Sequence, residues 1–293
     1  MKYTLYKYHG AGNDFLIADG RSLGDAMDAL VSEQTIRSLC DRRYGIGADG
    51  LMVLLPQDAT SAYDFTMLYF NSDGSSGMMC GNGGRCIAAF AVDCGVVSDR
   101  MRFMAADGPH DAEVLASEGS SKTIRLKMKD VSGADSHASI SCEPAVSGWF
   151  LDTGTRHFVT FVKDIAGVDV ENLGKSLRHA GEFAPVGANV NFVECVTPDS
   201  INVRTFEKGV EAETFACGTG IVASSIATAL SDVRSGGAPV SMRPYHYDVQ
   251  AKRDPLAVDF VLDWNPGVSD VAVSEIYLTG PAVRVAEIIV EIQ

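Results

Sequence analysis

The chain lacks the features of several protein classes. Its 293 residues include 24 lysines and arginines against 38 aspartates and glutamates, which gives a formal net charge of −14. Such a surface repels phosphate backbones, so we expect no nucleic-acid partner. No apolar run approaches the roughly 18 residues of a membrane helix. The opening residues, MKYTLYKYHG, alternate like a strand and do not resemble a signal peptide. We therefore expect a cytoplasmic protein without a membrane partner.

Cysteine is present, but in a pattern that argues against disulfides and metal. The seven cysteines are an odd number in a large chain without an export signal, so a disulfide framework is not expected. No C-x-x-C pair occurs, and the spacing of Cys80 and Cys86 does not fit a zinc finger or ribbon, so no metal site is expected. Most of the thiols are interpreted as small buried side chains. Cys80 and Cys217 differ, because a glycine follows each directly.

Residue patterns predict strands and helices in alternation. Alternating or β-branched runs predict strands at residues 3–8, 51–55, 65–70, 123–128, 158–162, 189–195 and 201–206. Other segments predict helices at residues 32–40, 84–94, 169–179 and 220–230, the first with Ser32 as its N-cap. Residues 231–239 are predicted to form a loop. Strands are expected again after Asp254.

Two of the predicted helices are apolar or small on every side. One contains CIAAFAV from residue 86 and the other IVASSIATAL from residue 221. A helix without a polar face must be enclosed. Each follows a cysteine–glycine turn, MCGNGGRC at 79–86 and ACGTGIVA at 216–223, and each turn follows a strand. The repeat predicts an α/β (α+β) fold of two pseudo-twofold-related domains, each with strands wrapped around a central buried helix.

The boundary between the domains is expected near residues 130–148, where the sequence is small, polar and rich in turn formers. The first domain is predicted to span residues 1–130 and to be completed by a C-terminal strand at about 277–293, beside residues 3–8. The second domain is predicted to span residues 131–276.

The two cysteine–glycine turns predict an anion site beside a reactive thiol. A helix N-terminus carries unsatisfied N–H groups and partial positive charge, and glycine permits close approach. Gly81, Asn82, Gly218 and Thr219 are therefore expected to hold one carboxylate, and the same field favours a thiolate. Two thiols on opposite faces of an amino acid would invert its α-carbon by removing and returning a proton. We expect no cofactor and a small-molecule amino acid as the partner.

Seven motifs, in chain order, resemble those of the diaminopimelate epimerase family. They are HGAGNDF (9–15), GIGADG (45–50), FNSDGS (70–75), MCGNGGRC (79–86), GANVN (187–191), FEKGVEAETFACGTG (206–220) and TGPA (279–282). The resemblance implies two α/β domains, each a mixed β-sheet wrapped around a central buried helix, and a cofactor-independent mechanism that uses two cysteines. It also implies interconversion of LL- and meso-diaminopimelate on the route to lysine and peptidoglycan, and a homodimer.

The resemblance further implies roles for single residues. Cys80 and Cys217 match the acid/base pair of the family. His157 and Glu207 match the pair that lies beside the thiols and the substrate amino group. Three asparagines match amides that hold the distal amino–carboxyl end of the substrate, since an amide both donates and accepts: Asn13, Asn71 and Asn189.

Several positions depart from the family pattern. Lys208, a substrate-binding candidate, stands where arginine usually follows the motif glutamate, and lysine offers a point charge instead of a planar fork. Thr155 and Arg156 replace the amide or serine and the proline that precede the motif histidine. Gly50 replaces a glutamine of some members, and MRPYHYD at 242–248 lacks the usual glycine pair. One hypothesis is that Arg156 restores the carboxylate fork; the alternative is a pocket suited to another amino acid.

Each candidate also has a purely structural interpretation. The two thiols would be buried at helix starts, His157 would be a satisfied core histidine, the asparagines would form turns or caps, and Glu207 would pair with its neighbour in solvent. Three other functions fit the same residues. One is a racemase of another amino acid, histidine-like or broad in specificity. The second is a thiol redox sensor in which Cys80 and Cys217 form a disulfide, and the third is a binding module of the same fold without catalytic activity.

Overall fold

The computed structural model describes residues 1–58, 60–77, 79–133, 136–140, 146–265 and 271–292. Its strands are β1 (Lys2–Gly10), β2 (Asn13–Asp19), β3 (Gly50–Pro56), β4 (Phe65–Asn71), β5 (Arg100–Ala105), β6 (Gly108–Glu118), β7 (Ser121–Lys127), β8 (Val131–Ser132), β9 (Ser136–Ile140), β10 (Val146–Asp152), β11 (Arg156–Phe161), β12 (Asn189–Thr197), β13 (Ser200–Glu207), β14 (Ala212–Thr214), β15 (Val240–Gln250), β16 (Pro255–Trp264) and β17 (Ala272–Glu291). Its α-helices are α1 (Met27–Leu30), α2 (Glu33–Cys40), α3 (Gly81–Asp93), α4 (Val170–Arg178) and α5 (Gly218–Gly236). Short 3-10 turns occupy Gly20–Ser22, Gly24–Ala26 and Gly181–Phe183.

The chain divides into two compact units. Residues 1–126 and 279–293 form the first, and residues 127–278 form the second. The last strand, β17, ends in the first unit and pairs antiparallel with β1, with Lys2 opposite Glu291 and His9 opposite Val283. The C-terminal strand therefore lies beside the first strand of the chain. The predicted boundary near residues 130–148 lies partly outside the described residues, as does Cys142.

The first unit contains a mixed sheet in which antiparallel and parallel pairs alternate. Along the chain, β1–β2 is antiparallel, β2–β3 parallel, β3–β4 antiparallel, β4–β5 parallel and β5–β6 antiparallel. A parallel pair requires a long crossover connection. Helix α2 lies in the crossover from β2 to β3, and α3 lies in the crossover from β4 to β5.

The second unit repeats this topology. Here β10–β11 is antiparallel, β11–β12 parallel, β12–β13 antiparallel, β13–β15 parallel and β15–β16 antiparallel. Helix α4 lies in the first crossover and α5 in the second. Helices α2 and α4 begin at Glu33 and Val170, 137 positions apart, and α3 and α5 begin at Gly81 and Gly218, also 137 positions apart. The predicted duplication is therefore confirmed at the level of chain topology.

The helices α3 and α5 are enclosed, as their sequences predict. Every residue of α3 from Gly81 to Ala91 is buried, and helix α3 packs on β1 and β2. In α5, all residues from Gly218 to Leu230 except Thr219 are buried, among β10 to β13 and β15. The buried hydroxyls of α5 donate to carbonyls one turn earlier, which satisfies them without a polar partner from outside the helix.

All seven predicted strands and all four predicted helices are present, and Ser32 caps α2 by accepting from the Thr35 N–H. Two boundaries of these elements differ from the prediction by three residues or more. Helix α3 begins at Gly81, three residues before the predicted start, because Cys80 is its N-cap. The predicted loop at 231–239 is helical as far as Gly236, the last residue of α5, and the C-cap Gly237 has a left-handed φ of 69° that suits glycine. Strands β2, β5, β6, β8, β9, β10, β14 and β15 were not predicted; β15 was missed because its sequence is largely exposed and contains a proline.

The packing of α4 on β13 depends on a glycine. A Cβ atom on Gly174 would lie 2.4 Å from the Cβ of Phe206, whereas a Cβ on Gly236 would meet nothing within 4 Å. We expect Gly174→Ala to lower the free energy of unfolding by about 1–3 kcal/mol through overpacking. The control, Gly236→Ala, is expected to leave it unchanged or raise it by up to about 1 kcal/mol. Urea unfolding followed by circular dichroism measures both, and equal effects would contradict this packing.

Candidate active site

Cys80 is the N-cap of α3, in the first unit. Its backbone is extended, with φ −114° and ψ 150°, and its half-buried Sγ accepts a hydrogen bond from the Gly83 N–H at 3.2 Å. A Cβ on Gly83 would lie only 3.3 Å from that sulfur, so glycine keeps the N–H accessible. The helix N-terminus therefore places partial positive charge beside the thiol, which stabilises its thiolate form.

Asn13 supplies a second polar atom beside Cys80. Its Nδ2 donates to a carboxylate oxygen of Asp49, which fixes the orientation of the amide. The Oδ1 atom of Asn13 consequently faces Cys80 Sγ at 3.9 Å and Asn82 Nδ2 at 3.4 Å. An amide oxygen can only accept, so the contact with the sulfur favours the protonated thiol. Cys80 thus has a donor suited to its thiolate and an acceptor suited to its thiol.

A cluster of ion pairs holds Asn13 and Asp49 in place. Arg42 bonds Asp14 at 2.7 Å and Asp49 at 2.6 Å, and Lys7 also pairs with Asp14. Burial raises the pKa of Asp14, but the hydrogen bonds from Arg42 and Lys7 outweigh burial and hold that pKa at about 2. Asp14 is therefore ionised at neutral pH, and its ion pair with Arg42 ties the loop before β3 to the start of β2.

Arg85 holds the first turn of α3 in place through hydrogen bonds of its guanidinium group. Its side chain is completely buried, and its guanidinium donates to Asn82 Oδ1 at 2.9 Å, to the Gly81 carbonyl at 3.3 Å and to the Pro281 carbonyl at 3.3 Å. Because Asn82 Oδ1 is held by Arg85, its Nδ2 is directed toward Asn13. Arg85 thus connects the MCGNGGRC and TGPA motifs within the first unit.

Asn71 makes the bonds of a turn residue. Its backbone N–H donates to the Ser75 carbonyl at 2.9 Å, and its Nδ2 donates to Ser75 Oγ at 3.0 Å. These contacts match the structural interpretation of this asparagine. Its predicted contact with a substrate stays a prediction.

Cys217 is the N-cap of α5, in the second unit. Its backbone is extended, with φ −104° and ψ 109°, and its side chain is buried. Its Sγ lies 3.6 Å from Thr219 Oγ1, in the first turn of the helix. The backbone of Thr219 is held in turn by Thr153, whose hydroxyl donates to the Thr219 carbonyl at 2.9 Å. The neighbour of the Cys217 sulfur is therefore a hydroxyl group, which can donate or accept.

His157 lies behind Thr219 and is completely buried. Its Nε2 is 3.0 Å from Thr219 Oγ1 and 2.9 Å from Thr155 Oγ1, and its Nδ1 is 3.1 Å from Asn191 Nδ2. Burial lowers the pKa of His157 to about 3, because the charged imidazolium would lose its hydration. His157 is therefore neutral at physiological pH and reaches Cys217 through the Thr219 hydroxyl.

Asn189 joins the ends of three strands. Its Oδ1 accepts from the Lys208 N–H at 2.8 Å, and its Nδ2 donates to the Arg156 carbonyl at 3.1 Å and to Thr155 Oγ1 at 3.3 Å. The amide thus fixes the backbone on which Arg156 and Lys208 stand, while half-buried Glu207 is the last residue of β13. Among the described residues, the exposed side chains of Arg156 and Lys208 form no ion pair.

Comparison with known proteins decides the family. A family model described as diaminopimelate epimerase matches residues 5–131 and 149–243. The chain belongs to the diaminopimelate epimerase family. It is 35% identical over 289 residues to a diaminopimelate epimerase of Aquifex aeolicus (97% of this chain, 96% of the relative) and 39% identical over 279 residues to one of Chlorobaculum tepidum (93% and 95%). The family resemblance of the motifs is confirmed.

Solved structures of more distant proteins share the fold. A PhzF-family phenazine biosynthesis protein of Bacillus anthracis matches with a TM-score of 0.67 at 14% identity, over 100% of both chains. A hydroxyproline epimerase of Agrobacterium vitis, solved with trans-4-hydroxy-L-proline, matches with a TM-score of 0.66 at 15% identity, over 99% of this chain and 92% of that one. At such identities the likeness concerns the fold alone, and it supports the predicted two-domain α/β architecture.

The candidate residues of this diaminopimelate epimerase family member form two groups. Asn13, Cys80, Gly81 and Asn82 come together in the first unit; His157, Cys217, Gly218 and Thr219 come together in the second, with Asn189, Glu207 and Lys208 at its strand ends. Sequence reasoning missed Asp49, Arg85 and Asn191. Each stands inside a quoted motif, and Asn191 follows Asn189 at the two-residue spacing that places both on one face of a strand.

The described part of the chain contains neither a cluster of metal-ligating side chains nor a membrane-spanning helix. No three histidine, cysteine, aspartate or glutamate side chains there are grouped as metal ligands. No helix there combines the length and apolar character needed to cross a membrane.

The neutral state of His157 predicts a pH dependence of stability. Its folded pKa of about 3 lies below the roughly 6.5 of an unfolded histidine, so the unfolded chain binds more protons between these values. Stability from this group is complete above pH 6.5 and is lost as the pH falls, by up to about 1.4 kcal/mol per pH unit. We expect His157→Gln to remove that slope when the free energy of unfolding is measured from pH 4.5 to 6.5. An unchanged slope would contradict a buried neutral histidine.

Proposed function

We propose that the chain is a diaminopimelate epimerase that interconverts the LL and meso forms without a cofactor. Two lines of support stand behind it. Relatives named diaminopimelate epimerase match nearly the whole chain. The proposed mechanism depends on an observation made in both units: α3 and α5 are topologically equivalent enclosed helices, and each begins directly after a cysteine N-cap. The same proposal places the enzyme in the cytoplasm, as a homodimer supplying lysine and peptidoglycan precursors.

The proposed reaction is a transfer of two protons on opposite faces of one carbon. One thiolate takes the α-proton and becomes a thiol, while the electron pair of the broken C–H bond moves into the α-carboxylate. The thiol of the other cysteine then gives its proton to the opposite face and becomes the thiolate. The proposal requires the sulfurs of Cys80 and Cys217 to flank the substrate carbon. The reverse reaction exchanges their roles, so both sites need a donor and an acceptor nearby.

Charge stabilisation is assigned to the two helix N-termini. The first-turn N–H groups at Gly81 and Asn82, and at Gly218 and Thr219, would donate to the α-carboxylate as it gains negative charge. Preorganised backbone donors of this kind act without a metal or pyridoxal phosphate. The glycines on both turns leave room for a ligand to approach the backbone.

Recognition of the distal end is assigned to the strand ends of the second unit. Arg156 and Lys208 stand on backbone that Asn189 joins, and both cations are exposed in a strongly acidic protein. A carboxylate is the natural partner of such a pair, with Arg156 providing the planar fork. Glu207, the last residue of β13, is proposed to lie beside the substrate amino group together with His157.

The first test is α-proton exchange in D2O under reducing conditions. We expect diaminopimelate to gain α-deuterium and to be inverted, while a panel of other amino acids reacts at least about a hundredfold more slowly. Cys80→Ser and Cys217→Ser are each expected to lower the inversion rate by about a hundredfold or more, because serine is a far weaker acid. Nuclear magnetic resonance and chiral chromatography measure exchange and inversion.

The outcome of the panel separates the alternatives. Exchange with another amino acid but not with diaminopimelate would reject the proposed substrate and leave a racemase of that other amino acid. No exchange with any amino acid would reject the epimerase and favour a thiol redox sensor. A Cys195→Ser enzyme is the matched control, since Cys195 is an exposed cysteine that belongs to neither group of candidate residues. This variant is expected to keep full activity.

The second test concerns the distal carboxylate. We expect Arg156→Ala and Lys208→Ala each to raise the KM for diaminopimelate about tenfold or more, because each removes a charge-assisted hydrogen bond, with a smaller change in kcat. Lys163→Ala, which removes an exposed cation elsewhere in the second unit, serves as the control. An Arg156→Ala enzyme with normal affinity would remove Arg156 from this assignment.

A further inference from the structure

A chain of hydrogen bonds leads from the buried side chain of Asn191 to the Cys217 sulfur. Asn191 is fully buried, and its Nδ2 lies 3.3 Å from the Phe158 carbonyl oxygen and 3.1 Å from His157 Nδ1. A carbonyl oxygen can only accept, so the amide atom that faces it is the NH2 group. The same NH2 group therefore donates to His157 Nδ1.

The donation from Asn191 determines which nitrogen of His157 carries the hydrogen. A neutral imidazole has one N–H, and an Nδ1 that accepts leaves the hydrogen on Nε2. His157 is neutral because it is fully buried. Its Nε2–H then donates to the hydroxyls within reach, those of Thr219 at 3.0 Å and Thr155 at 2.9 Å.

Thr155 receives a second hydrogen from the opposite side. The Asn189 amide is oriented by the Arg156 carbonyl and the Lys208 N–H, so its Nδ2 donates to Thr155 Oγ1. The Thr155 hydroxyl is 3.2 Å from Thr219 Oγ1 and is left to donate to it. Thr219 is therefore supplied with donors by His157 and Thr155, and its own hydrogen is left for the Cys217 sulfur at 3.6 Å.

We infer that Asn191 is a positioning residue that, by fixing the Nε2–H form of His157, directs the Thr219 hydroxyl hydrogen onto Cys217 and favours its thiolate. In the resting protein Cys217 is accordingly the thiolate, and it is the base for the isomer whose α-hydrogen faces it, while Cys80, which faces the Asn13 acceptor, begins as the thiol. Each step moves one proton: from the substrate carbon to Cys217, and from Cys80 to the carbon. The inference rests on the proposed two-thiol reaction for its consequence, but not for the hydrogen-bond chain itself.

The packing around Asn191 leaves it one orientation. Thr205 donates to its Oδ1 at 2.9 Å, which agrees with the assignment of the amide atoms. A Cβ on Gly220 would lie 2.3 Å from the same Oδ1, so the first turn of α5 rests directly on this side chain. Asn191 is thus held by β11, β13 and α5 at once, and a rotated amide would set two donors or two acceptors against each other.

The decisive readout is the protonated nitrogen of His157. Long-range proton–nitrogen correlation spectra of histidine-labelled protein distinguish the Nε2–H, Nδ1–H and charged forms, and His157→Gln assigns the signal by its loss. We expect the neutral Nε2–H form from pH 5 to pH 8. An Nδ1–H or charged His157 in the unmodified protein would overturn the inference.

A second experiment follows the effect to the sulfur. We expect Asn191→Leu to slow alkylation of Cys217 by iodoacetamide about tenfold or more at pH 7, with the rate at Cys80 unchanged, as read peptide by peptide by mass spectrometry. The control, Asn202→Leu, removes an amide of β13 that bonds Glu194 instead, and is expected to leave both thiols unchanged. Unchanged alkylation of Cys217 in Asn191→Leu would overturn the inference.

A pair of variants keeps the test independent of how Asn191→Leu folds. Thr219→Val removes the hydroxyl at nearly constant shape and is expected to slow Cys217 alkylation about tenfold, while Thr219→Ser keeps the hydroxyl and is expected to restore it. In turnover, Thr219→Val should lower kcat about tenfold to a hundredfold with KM within about threefold. Equal reactivity of the valine and serine variants would contradict the chain. Since alkylation needs no substrate, failure of the proposed function on diaminopimelate is a separate result.

Discussion

The enclosure of α3 and α5 is the constraint on which the rest of the structure depends. Both helices are apolar or small along nearly their whole length, so the strands of their own units cover their sides. A helix covered in this way can meet a ligand only at an end. At the N-terminal end of each, the first-turn N–H groups carry partial positive charge, and the glycines leave room for a ligand to approach the backbone. The cysteine N-caps occupy the one position where a thiol touches that field.

The two cysteine N-caps stand at equivalent places in the repeated topology, but their sulfurs have different hydrogen-bond partners. Cys80 lies between the Gly83 N–H and the Asn13 oxygen, a donor and an acceptor. Cys217 lies beside a threonine hydroxyl supplied with donors by a neutral histidine. Two chemically identical groups can therefore begin a reaction in different protonation states. An inversion that runs in both directions requires the two thiols to differ only slightly in how readily they lose a proton. Hydrogen bonds shift that tendency by smaller amounts than a buried charge would.

The sequence predicted the parts of the molecule that depend on local pattern. The enclosed helices, the cysteine turns and the N-cap of α2 follow from periodicity and capping chemistry, and the motifs identified the family. The extension of α5 past residue 230 was missed, because serine, glycine and arginine there also fit a loop. Strand β15 was missed because its side chains are exposed and its hydrogen bonds come from β16 and β13.

The sequence alone could not predict the hydrogen-bond partners of residues whose contacts are distant in the chain. Asn189 was predicted as a substrate amide, yet its bonds to Arg156 and Lys208 come from strand ends that are 33 and 19 positions away in the chain. Asp49, Arg85 and Asn191 gave no signal beyond lying in motifs, since nothing local shows which amide or carbonyl each will meet. A motif indicates that a residue is important, but only the folded structure shows which groups its side chain contacts.

The central claim is that two sulfurs serve opposite faces of one carbon. The most direct measurement is the location of solvent deuterium early in the reaction of one pure stereoisomer in D2O. The account predicts deuterium at the α-carbon of the inverted product and almost none in the recovered starting isomer, because the acid and the base are different groups. Equal labelling of the recovered isomer and the product would show that one group serves both faces, and would contradict the account.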